Sequence, residues 1–130
     1  MYSILIKSES RFPIERRKLR LHLEQILAKA GLFSETEVSL AIVGERKIRN
    51  LNRQFASKDQ ATSVLSFSQM EDRAGEKFVT SPEQVLYLGD IVVCYPKAQE
   101  LANKEGVLLD EEIAKLAEHG LWHLLGKHHE

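Results

Sequence analysis

Leu86-Tyr87-Leu88-Gly89-Asp90-Ile91-Val92-Val93-Cys94 is the stretch that decides the fold. Its second half is almost continuously apolar and rich in β-branched residues, so it reads as a strand covered on both faces in the middle of a sheet. Such a strand needs partners on either side, and the flanking sequence offers them. Upstream, Thr62-Ser63-Val64-Leu65-Ser66-Phe67 reads as a strand. Between the two, residues 69–83 are polar, with Gly75 and Pro82, and read as a loop or an irregular hairpin.

Further out, Tyr2, Ile4 and Ile6 alternate with Ser3 and Leu5 as a first strand. Pro13 suits the first turn of a helix whose apolar stripe is Leu19, Leu23, Ile26, Leu27 and Ala30 and whose end is Gly31. Val38, Leu40 and Ile42 alternate as another strand, followed by Ile48, Leu51 and Phe55 at helical spacing. Downstream of Cys94, a helix is predicted from Pro96 to Gly106, with Ala98, Leu101 and Ala102 inward. A last helix is predicted from Asp110, with Asp110 as its cap and Glu111 and Glu112 at the positive end of its dipole. The expectation is one α+β domain over 1–130: a four-stranded mixed sheet, four to five helices, and a metal site on the C-terminal helix.

Composition agrees with one domain. A chain of 130 residues with 43% hydrophobic content can close a core without disulfides. The 18 Lys and Arg against 19 Asp and Glu advertise no global field for nucleic acid. Locally, Arg11, Arg16, Arg17, Lys18 and Arg20 cluster at the first helix, as a solvated face or as contacts for a phosphate backbone. The single Cys94 excludes an internal disulfide and suggests a buried thiol in a reducing compartment. The N-terminus lacks the pattern of a signal peptide, and no run approaches the ~20 apolar residues of a membrane span, so a cytoplasmic protein without membrane contact is expected.

The chemistry gathers in the tail, Glu118-His119-Gly120-Leu121-Trp122-His123-Leu124-Leu125-Gly126-Lys127-His128-His129-Glu130. His119 and His123 are four apart, so on a helix both imidazoles project from one face and can reach one metal ion. They fall beside the stripe Ile113, Leu116, Ala117, Leu121 and Leu124, at a cleft margin rather than in the core. A left-handed Gly126 would end the helix and return His128 or His129 to the same ion. Three imidazoles would leave a fourth tetrahedral position on zinc for water, the pattern of a catalytic site. Metalloproteases place a glutamate directly after the first histidine, where Gly120 stands, so a peptidase is disfavoured.

His119, Gly120, His123, Gly126 and His129 together resemble the signature of the YbeY family. The likeness continues in Leu51-Asn52 leading to Phe55, in Lys58-Asp59, in Thr62 to Phe67, and in Leu88-Gly89-Asp90-Ile91-Val92. The resemblance implies one Zn2+ per chain on His119, His123 and His129, with Thr62, Ser66 and Asp90 as framework or cleft residues and Lys58 at phosphate. It also implies a single-strand-specific endoribonuclease that matures the 3′ end of small-subunit ribosomal RNA and serves ribosome quality control. Its partners would be single-stranded RNA, ribosomal RNA, the small ribosomal subunit and associated factors.

Two positions depart from the family pattern. Ala56 stands where the family usually carries a functionally important arginine, which leaves Arg53 and Lys58 as candidate cations for charge on the phosphate. Lys127-His128 replaces an aromatic residue and an aspartate, which removes an orienting carboxylate and makes His128 an alternative third ligand. Two other classes of function stay open: a ribosome-associated binding module with little or no catalysis, and a zinc hydrolase of another substrate.

Overall fold

The structure, a computed structural model, describes residues 2–32, 34–56, 62–68 and 85–129, with the backbone alone at 56 and 127–129. Its elements follow the order β1 (Tyr2–Ser8), α1 (Arg16–Lys29), β2 (Thr36–Val43), α2 (Glu45–Ala56), β3 (Val64–Ser68), β4 (Leu86–Cys94), α3 (Tyr95–Glu105) and α4 (Leu109–His129). The strands form one mixed sheet in the order β1-β2-β4-β3. β1 and β4 both run parallel to β2, whereas β3 runs antiparallel to β4. The apolar stretch 86–94 is therefore an inner strand, as its composition requires.

The two faces of the sheet carry separate cores. Ile4, Ile6, Val38, Leu40, Ile42, Ile91 and Val93 pack with Leu19, Leu23, Ile26 and Leu27 of α1 and with the stripe of α4. On the other face Val43, Val92 and Cys94 pack with Ile48 of α2, flanked by Leu51, Leu65 and Phe67. Alternation along β2 and β4 makes this division, since neighbouring side chains in a strand point to opposite faces. Burial pushes the Cys94 thiol above its ordinary pKa, so it is an inert core group.

α1 begins at Arg16 rather than at Pro13, because Phe12 is buried and stacks on Tyr95 with ring centroids 4.7 Å apart. This anchor holds the chain in a turn, in which the Phe12 N–H donates to the Glu9 carbonyl at 2.9 Å. The helix ends as expected, with Gly31 at φ 78°, and α3 ends likewise at Gly106, φ 71°. Asp110 lies inside the first turn of α4, where its charge suits the dipole, rather than at the cap. The predicted loop at 69–83 lies outside the described residues.

The C-terminal end of the last helix also differs from expectation. α4 does not end at Gly126 but continues to His129, and Gly126 has no positive φ. Buried Leu124 and Leu125 hold the turn before it, and one glycine in a helix costs only about 1 kcal/mol relative to alanine, too little to force a stop.

Candidate metal centre

α4 lies across β3 and β4, and its closeness depends on two glycines. A Cβ at Gly120 would come within 2.8 Å of the Ile91 Cγ2 atom. Gly89, at φ 144°, leaves no room either: its Cβ would meet the Phe67 carbonyl oxygen at 2.1 Å and Leu124 at 3.1 Å. The glutamate that a metalloprotease carries after its first histidine would collide with the sheet here. Gly120 is thus a packing residue, and its place between helix and sheet strengthens the case against a peptidase.

With Gly120 facing the sheet, His119 and His123 stand on the exposed flank of α4 beside β3. Their ring centroids are 4.7 Å apart and the rings meet edge to face. His119 lines an open cleft of about 550 Å³ with Thr62, Ser63, Val64, Glu118 and Trp122. Trp122, 45% exposed, is a wall of that cleft rather than a core residue. Ser66, paired with Ile91, is half-buried on the same face of β3 but outside the cleft lining.

The His22 Nε2 atom lies 2.8 Å from Glu118 Oε1, tying α1 to the turn that carries His119. Sequence reasoning missed this pair because 96 positions separate its members and neither has a local pattern. Asp90 faces away from α4, where it accepts a hydrogen bond from the Ser39 hydroxyl across β2 and β4 and lines a separate cleft of about 530 Å³ with Lys7, Phe55 and Phe67. Arg53 lies on α2, across the sheet from the histidines, where its guanidinium donates to Asn50 Oδ1 at 3.0 Å. Lys58 falls outside the described residues, and of His128 and His129 only the helical backbone is described.

Two exposed imidazoles one helical turn apart suit a divalent metal, since neutral ring nitrogens are common zinc ligands. Among the described residues no group of three His, Cys, Asp or Glu side chains converges. A continuous helix carries the backbone of residue 129 roughly 9 Å beyond that of residue 123 along the axis. Gly126 stands between the pair and this segment, and a Cβ there would meet nothing within 4 Å beyond the helix's own backbone.

A family model described as endoribonuclease YbeY matches residues 5–130. The chain belongs to the endoribonuclease YbeY family. An endoribonuclease YbeY of Bacillus cereus (strain B4264) is 37% identical over 111 residues, covering 85% of this chain and 71% of the relative. One from Bacillus thuringiensis (strain Al Hakam) is also 37% identical over 111 residues, covering 82% and 71%. The solution structure of TM1509 from Thermotoga maritima superposes with a TM-score of 0.58 at 28% identity, covering 94% of this chain and 71% of that one. The YbeY match runs through both the strand block at Thr62–Phe67 and the histidine tail, so β3 and α4, the two walls of the cleft, lie within the family region.

Proposed function

We propose that this protein is a zinc-dependent, single-strand-specific endoribonuclease that acts on the 3′ end of small-subunit ribosomal RNA, in maturation and ribosome quality control. The observation that carries the reading is the His119–His123 pair, with ring centroids 4.7 Å apart and His119 lining the cleft, in a chain of the endoribonuclease YbeY family. His119, His123 and His129 would hold the ion, with His128 as the alternative to His129. When bound, the metal supplies Lewis-acid polarisation of a phosphoryl group and lowers the pKa of water.

The chain's own residues do the rest. Trp122 offers its exposed face to an unpaired base, a contact worth ~1–3 kcal/mol that a base stacked inside a duplex cannot make. The Thr62 and Ser63 hydroxyls on the facing wall are donors for phosphate oxygens. Glu118, held by His22, fixes the turn from which His119 projects. The soluble compartment proposed is the cytoplasm, and no helix among the described residues is long and apolar enough to cross a membrane.

The test is cleavage of matched single-stranded and duplex RNA, with and without chelator, beside His123→Ala purified identically. The expected result is chelator-sensitive cutting of the single strand. His123→Ala should lose metal and more than the roughly 10–100-fold that loss of an outer-shell partner costs. A second reading, a binding module with silent chemistry, is favoured by Ala56 in the arginine's place and by Arg53 across the sheet. It takes precedence if the wild type holds zinc yet cuts no better than the variant.

A further inference from the structure

A larger crevice, of about 740 Å³, lies at the carboxyl ends of β1 and β2. It is lined by the cations Lys7, Arg11, Arg46 and Lys47, with Ser8 and Asn50 between them. The topology makes it. The chain leaves β1 toward α1 on one face and leaves β2 toward α2 on the other. Adjacent strands whose connections part in this way leave a gap at their carboxyl edge, the place where open α/β sheets bind ligands.

Its electrostatics fit a polyanion. Among the described residues the one carboxylate in the lining, Glu9, sits 3.3 Å from the Arg11 Nε atom, and Arg11 also lies over the Phe12 ring, 4.5 Å from its centroid. Lys7, Arg46 and Lys47 are exposed, and among the described residues none of them has a hydrogen bond or ion pair. Arg46 and Lys47 also stand in the first turn of α2, where positive charge opposes the dipole. Glu45 in the same turn offsets one of these two charges, and the excess that is left marks a surface that something outside the protein completes.

The crevice and the histidine cleft share one end of the sheet. β3 is antiparallel to β4, so its first residues lie beside the carboxyl end of β4, and the Cys94 N–H donates to the Ser63 carbonyl at 2.9 Å. Thr62 and Ser63 at that end line the cleft. From β1 to β3 is three strand spacings, about 14 Å, a span that one short single strand covers.

We infer that the crevice at the carboxyl ends of β1 and β2 is an exosite that holds backbone phosphates of the single-stranded RNA, with Lys7, Arg46 and Lys47 as its contacts. This deepens the RNA reading and rests on it.

The test reads binding rather than cleavage. A fluorescent twelve-nucleotide uridine oligomer is titrated in chelator over a series of KCl concentrations against wild type, Arg46→Ala/Lys47→Ala and, as an equal loss of charge elsewhere, Arg17→Ala/Lys18→Ala. The crevice variant is expected to bind about tenfold more weakly and to lower the slope of log K against log salt by about 1.4, two single-strand phosphates at ~0.7 each. The control double variant should keep the wild-type slope. Equal weakening in both variants, or none in the crevice variant while wild type binds, overturns the exosite and leaves the RNA reading standing. No binding by wild type overturns both. Inorganic tripolyphosphate forms a second arm: saturable binding of it that Arg46→Ala/Lys47→Ala removes, without oligomer binding, makes this a small-phosphate site and overturns the RNA path.

Discussion

The basic residues at the start of α1 and those around the start of α2 are alike in charge and density, yet the fold uses them differently. Arg16 donates to the Ile6 carbonyl and, at 3.0 Å, to the Ser8 hydroxyl, and Arg20 donates to the Ile4 carbonyl at 3.3 Å. These carbonyls line the outer edge of β1, an edge strand. The two arginines therefore satisfy acceptors that an open edge would leave for another chain to pair with. Lys7, Arg46 and Lys47 converge instead on a crevice. Charge that is dense along the chain need not converge in space, and a cation counts toward binding only when the fold has not already engaged it.

The comparison breaks most visibly if the α1 arginines are removed. Arg16→Ala/Arg20→Ala is expected to lose about 2 kcal/mol in urea unfolding, about 1 for each arginine's hydrogen bonding to β1, while RNA affinity at 25 °C stays at the wild-type value. Intact stability with weakened RNA binding would reverse the two roles.

A smaller effect comes from a charge that is buried rather than displayed. Glu112 is buried in α4, and its Oε1 atom has no hydrogen-bond partner. Burial, then the Glu105 carboxylate, pushes its pKa above the ordinary range. A carboxyl raised in this way favours folding below its unfolded pKa, about 4.3, and that contribution is lost as pH rises through the folded value. Glu112→Gln, which resembles the protonated form, should gain about 1 kcal/mol at pH 7 and nothing below about pH 4. Glu105 moves the other way, lowered first by its hydrogen bond to Lys115, so its contribution is present at neutral pH and lost on acidification. The variant's stability should therefore fall toward acid, as read by unfolding at several pH values.

The smallest effect belongs to the remaining α1 cations. Arg17 and Lys18 are exposed, and replacing each by alanine should change stability by less than about 0.5 kcal/mol. A larger loss would show that the edge of β1 draws on more than Arg16 and Arg20.

Much of this was legible in the chain itself. Periodicity gave the four strands, the central place of 86–94, the stripe of α4 and the glycine ends of α1 and α3, because each rests on contacts near in sequence or on one residue's own backbone freedom. The spacing of His119 and His123 placed both on one helix flank for the same reason. The stop at Gly126 failed because a glycine permits a helix end without requiring one. The start at Pro13 failed because a distant ring, Tyr95, holds Phe12.

What the sequence alone determined, then, is the set of elements, the faces they bury and the pair of imidazoles, since these follow from side-chain period and local geometry. Tertiary structure alone decided which cations are engaged, that His22 meets Glu118, that Gly120 must be small, and that the parting of α1 and α2 opens a crevice on the same end of the sheet as the cleft. Each of these depends on residues far apart in the chain, whose approach is set by how strands order and helices pack.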